Sequence, residues 1–109
     1  MQVIKQISVA ANTTVDNVLS GSVYEFPAFN AKVDFGLSGS ATGLVATVTS
    51  GSDVLQEEGP VPPTNRFPQA DQDFTLTDLV GGGERLVIRV RNTTAGALTL
   101  FSTTRLTPI

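Results

Sequence analysis

The amino-acid sequence predicts an all-β protein: a single antiparallel β-sandwich of about eight strands, jelly-roll-like or immunoglobulin-like in connectivity, with a small β-barrel as the alternative closure. Three observations predict it. Apolar residues recur at alternate positions, most clearly in residues 32–38, where Val33, Phe35 and Leu37 face one way and Lys32, Asp34 and Gly36 the other. Clusters of Gly, Ser, Thr, Asn and Pro interrupt the chain at short, near-regular intervals. No segment carries a sustained helical period beyond the hint of one turn, or a short extended piece, near residues 15–19.

The elements follow in order. Residues 2–10 alternate with Val3, Ile7 and Val9 on one face and Gln2, Gln6 and Ser8 on the other, broken by Ile4 and Lys5. After the turn-rich ANTTVDNVLSGS, the segment VYEFPAF is apolar enough for a strand. Pro27 cannot donate to a ladder and requires an edge or a bulge there. KVDFGLS and the β-branched LVATVTS are strands joined by the turn GSATG, and SGSD turns the chain into VLQEE. Residues 59–73 hold four of the six prolines and read as an ordered excursion or a binding arm. FTLTDLV and ERLVIRV are joined by GGG, a link free to change sheet or direction, and a last strand runs over about 97–106.

RVRNTTAGALTLF, residues 89–101, reads as a hairpin closed by Thr94, Ala95 and a left-handed Gly96. That register sets Arg91 opposite Thr99, Arg89 opposite Phe101 and Arg85 opposite Arg105, and backs them with Val90 opposite Leu100 and Ile88 opposite Ser102. A one-residue slip would mix arginines with leucines on one face. The result is an apolar inner face and an outer face bearing Arg85, Arg89, Arg91, Arg105, Val87 and Phe101, with four of the seven basic residues of the chain. Such a face suits an acidic partner surface or a second copy, arginine and aromatic residues being enriched in interfaces. The plainer reading is a solvated sheet whose arginine stems cover Phe101, since single exposed apolar residues are ordinary.

Composition removes most chemistries. At 109 residues the chain makes one domain, 1–109, with the Pro-rich arm at about 59–73. Cysteine and histidine are both absent, which excludes disulfides, thiolate catalysis, serine–histidine triads and histidine–zinc sites. Net charge is −3, so neither a nucleic-acid nor a membrane-surface footprint shows. Glu57, Glu58, Asp71, Asp73 and Asp78 lack the spacing of a calcium loop, and no cleft places two of them as a glycosidase pair. NTT at 12–14 and 92–94 matches a glycosylation acceptor, but the start MQVIKQISVA lacks a secretory signal, so synthesis in a cytoplasm is expected. The chain therefore reads as no enzyme, with no cofactor and no metal. Only Lys5 and Lys32 are available to guard sheet edges, so something else is expected to cover them.

DFTLTDLVGGGERLVIRVRNTTAGALTLFS resembles the last three strands of an immunoglobulin-like or fibronectin type III sandwich, over the final third of the chain. The whole chain resembles in style the small auxiliary or cement proteins of bacteriophage heads: a direct start into strand, no Cys or His, many Thr, Ser, Gly and Ala, and one proline-rich arm. The resemblance implies a virion decoration or minor capsid subunit, made in the host cytoplasm. It also implies a homo-oligomer, often trimeric, whose partners are the major capsid protein or other virion proteins. The expected partner-binding residues are Arg85, Arg89, Arg91, Phe101 and Arg105 on the sheet and Pro62, Pro63, Arg66 and Phe67 in the arm. The alternative is a carbohydrate-binding or adhesion module, although the chain has no Trp and only one Tyr, Tyr24.

Overall fold

The computed structural model describes residues 2–22, 25–51, 53–68 and 74–109. Its strands are β1 (Gln2–Val9), β2 (Thr14–Val15), β3 (Ala31–Gly39), β4 (Leu44–Ser50), β5 (Asp53–Pro60), β6 (Phe74–Val80), β7 (Leu86–Asn92) and β8 (Leu98–Pro108). They form two four-stranded sheets, ordered β1-β8-β3-β6 and β2-β7-β4-β5, with every ladder antiparallel. The pairings are nested: β4 with β5, β3 with β6, β2 with β7 and β1 with β8. The chain is thus folded back on itself at the β4–β5 turn. The resulting ribbon is coiled until β8 meets β3 and β7 meets β4. That is the strand order of a jelly roll.

The inner faces make one core. Val33, Phe35 and Leu37 of β3, Leu44, Ala46 and Val48 of β4, Leu86, Ile88 and Val90 of β7, and Leu100 and Leu106 of β8 are all buried there. Each large aliphatic or aromatic side chain so enclosed contributes roughly 1.5–3 kcal/mol. Gly51 opens the tight β4–β5 turn at φ 58°, a conformation that costs a β-carbon-bearing residue strain. At every other link the chain changes sheet, including the GGG link between β6 and β7.

Three expectations are corrected. First, β7 and β8 are not a hairpin: they lie in different sheets, β7 between β2 and β4, β8 between β1 and β3. Both strands keep the alternation the sequence shows. That alternation specifies which side of a strand is apolar and not which strand it pairs with, so it fits a crossover as well as a hairpin. The positive-φ glycines are Gly21, Gly43, Gly51 and Gly83, and Gly96 is not one of them. Second, the immunoglobulin-like alternative falls with the hairpin, since that fold keeps its last two strands in one sheet. Third, the described part of VYEFPAF, residues 25–29, forms no strand. Val23 and Tyr24 lie outside the described residues, as do residues 69–73 with Asp71 and Asp73.

The edges carry guards of their own. On β1, Lys5 pairs opposite Ser102 and shares the inward side with Val3, Ile7 and Val9. On β6, Asp78 pairs opposite the core residue Val33 and so also points inward. A charge aimed into the sandwich from an edge strand penalises any further strand that would bury it. In the second sheet, β2 is two residues long, and β5 is broken by register shifts and ends at Pro60. The edges therefore do not require an outside cover.

Beyond Val15 the place of β2 is taken by side chains. Asn17 Oδ1 accepts from the Ile88 amide at 3.1 Å and the Leu19 amide at 3.0 Å, and its Nδ2 donates to the Leu86 carbonyl at 3.2 Å. The Leu86 amide in turn donates to the Glu25 carbonyl at 2.8 Å. Buried Asn17 thus completes the β7 ladder where no strand remains, as buried backbone groups demand.

Candidate interaction surface

The described part of the arm, residues 59–68, is folded back rather than extended. Val61 enters the core, and its amide donates to the Leu44 carbonyl at 2.9 Å. Pro62 lacks an N–H but uses its carbonyl to accept from Gly39 at 2.9 Å, and the Asn65 amide donates to the Gly39 carbonyl at 3.0 Å. The hydroxyls of Thr64 and Ser38 bond to one another. These contacts carry the arm over the outer face of the first sheet, where the Phe67 ring meets that of Phe101 edge to face, centroids 5.1 Å apart. Ser38 and Thr103, both on that outer face, are consequently 1% and 4% exposed.

The cover is incomplete. Phe67 remains 41% exposed, and Ile4, opposite Thr103 and so diagonal to Phe101, remains 58% exposed. Pro62, Pro63 and Arg66 are exposed along the arm. Of the residues expected at a partner surface, Phe67 and Phe101 are therefore brought together, joined by Ile4. Sequence reasoning recorded Ile4 only as a break in the β1 pattern, and that break was the available signal.

The arginine face, by contrast, is divided among three places, because β7 and β8 belong to opposite sheets. Arg105 is on the outside of the first sheet. Its Nη2 donates to Asp34 Oδ2 at 3.1 Å, while Thr77 Oγ1 donates to Asp34 Oδ1 at 2.8 Å. Arg85 stands at the entry to β7. Its Nε donates to Glu25 Oε2 at 2.8 Å and its guanidinium carbon lies 6.0 Å from the centre of the Phe26 ring. Glu25 is held below the usual glutamate pKa, first by the Gly21 amide that donates to Oε1 at 3.0 Å and then by Arg85. Arg89 and Arg91 project from β7 on the outside of the second sheet, across the sandwich from Phe101.

A cavity of about 70 Å³ lies between Phe35, Leu37, Leu76, Val61, Gln56 and the rings of Pro60 and Pro62. Small-molecule sites are usually about 300–1,000 Å³. Among the described residues no three His, Cys, Asp or Glu side chains are grouped to hold a metal ion. At the tip of the β4–β5 hairpin, the Asp78 carboxyl, hydrogen-bonded to Asp53 and like-charged, holds Asp53 above the usual aspartate pKa; burial and Glu84 add to the shift. Compared with known proteins, the chain matches no family model and no curated protein.

Proposed function

We propose that this chain is a non-enzymatic assembly protein, a decoration (cement) or minor capsid subunit of a bacteriophage virion, that binds a protein surface through the outer face of its first sheet. One observation carries the reading. The described part of the proline-rich arm is fixed to the end of β3 by backbone hydrogen bonds through Gly39 and leaves Phe67, Phe101 and Ile4 as a preformed apolar surface, with Pro62 and Pro63 exposed along the arm. Rigid aromatic anchors already held in place lose little entropy on binding, which is how a small interface gains affinity. The major capsid protein is the partner this reading assigns. An eight-stranded jelly roll supports it as one of the architectures of virion subunits, though lectins share the fold.

The test is co-sedimentation of the purified protein with capsid shells that lack it, run beside a glycan array. Saturable retention on shells that is lost in Phe67→Ala and Ile4→Ser supports the proposal. Glycan binding without shell binding replaces it with the carbohydrate-module reading.

A further inference from the structure

Among the described residues no arm crosses the outside of the second sheet, and its side chains are arranged in rows across β7, β4 and β5. In one row Val87 pairs with Thr49 and Thr49 with Val54, and Val54 is 60% exposed. In the next row Arg89 pairs with Thr47, whose hydroxyl accepts from the Glu58 amide at 3.1 Å. Gln56 lies opposite Val48 and Gly59 opposite Ala46, so Glu57 and Glu58 together face the single residue Thr47 across a bulge. Arg91 reaches over β4 to Glu58, Nε to Oε1 at 3.3 Å. Arg89 and Glu57, both exposed at the level of Thr47, have no ion-pair partner among the described residues.

From this pattern we infer that two copies of the chain pair face to face through the second sheet, about a two-fold axis running along β4. That operation lays β7 of each copy over β5 of the other. Arg89 then meets Glu57 of the second copy, Val87 meets Val54, and Val45, Thr47 and Thr49 meet themselves. A two-fold interface demands this self-complementarity, and charges across an interface set its register more than its strength. Sheets so stacked sit about 10 Å apart, and an inclination of each β4 by about 15° to the axis gives the usual crossing near −30°. Only β7, β4 and β5 overlap about this axis, and three strands of about seven residues give a footprint of about 23 Å by 14 Å, near 650 Å² for the pair, in the range of weak, transient contacts. The dimer is accordingly weak and concentration-dependent. The inference is independent of what the first sheet binds.

Sedimentation velocity over a dilution series up to about 1 mM, at low salt, tests it. The wild-type protein shifts from monomer to dimer with concentration, and added salt weakens the shift. Arg89→Glu and Glu57→Arg each place like charges in contact across the axis and weaken dimerisation by about tenfold or more. An equimolar mixture of the two variants regains dimers, because each interface then pairs opposite charges. Far-UV circular dichroism and melting confirm that both variants fold. A wild-type monomer throughout, a dimer indifferent to Arg89→Glu, or a mixture that stays monomeric overturns the proposal.

Discussion

The side-chain amide of Asn92 donates to the carbonyl of Val9 at 3.0 Å, joining the end of β7 in one sheet to the end of β1 in the other. The same nitrogen donates to the Gly96 carbonyl at 2.8 Å, while Oδ1 accepts from the Thr94 amide at 2.9 Å and the Thr94 hydroxyl at 2.7 Å. One buried side chain therefore shapes the whole crossover into β8. Asn92→Ala strands several buried groups at once and is expected to cost about 2–4 kcal/mol. Urea unfolding reads this as a lower midpoint with an unchanged slope.

Gly43 occupies φ 122° at the corner between β3 and β4, and a β-carbon there would run into the Thr94 methyl. The Thr93 amide donates to the Gly43 carbonyl at 2.9 Å, so the corner cannot simply move aside. Gly43→Ala is expected to lose about 1–3 kcal/mol. Combined with Thr94→Ser it should recover the steric part alone, which thermal melts of the two variants would separate.

Glu25 supplies an acid-sensitive element. Its pKa is depressed in the folded protein by the Gly21 amide and by Arg85, so its contribution is complete above the unperturbed glutamate value of about 4.3 and is lost as pH falls through the lowered folded value. Glu25→Gln should be less stable than wild type at pH 7, and the gap should narrow towards pH 3. A constant gap across that range would refute the assignment.

Asp53 works in the opposite sense. Its pKa is raised by Asp78, so the stability it contributes is complete below the unperturbed aspartate value of about 3.9 and is lost as pH rises through the folded value. Asp53→Asn relieves the repulsion and keeps a donor for Asp78, so the variant should melt above wild type at pH 7. Its advantage should fade in acid.

Phe67→Ala separates binding from stability. The ring pair with Phe101 is worth about 0.5–1.5 kcal/mol beyond the area it buries, and Phe67 is only partly covered. Melting should change little while retention on capsid shells is lost. A large drop in stability with binding retained would make Phe67 a clasp for the arm instead.

What was legible in the sequence was parity. Val33, Phe35 and Leu37 read as inward and are inward, because a pleated strand half-buried in a sandwich enforces a period of two. The same parity misled at β7 and β8. Arg89 and Phe101 both read correctly as outward, yet outward from sheets on opposite sides of the molecule. Partner choice depends on the crossover at residues 92–98, whose shape is set by the Asn92 hydrogen bonds rather than by any apolar pattern. Asp34, read as facing away from Val33 and Phe35, does so, yet it is buried beneath Arg105 and Thr77. The arm closing over the first sheet was likewise hidden, because proline content announces rigidity and not destination. The edge guards were half-visible: Lys5 stood out, whereas nothing in the spacing of Asp78 marked it as inward, which its pairing with Val33 shows.

Nesting has a consequence for how the chain is made. At roughly 5–20 residues per second of synthesis, β1 leaves the ribosome several seconds before its partner β8 has been translated. Through that interval β1 has no ladder to join, and Lys5, on the same side as Val3, Ile7 and Val9, opposes burial of that side against a foreign strand.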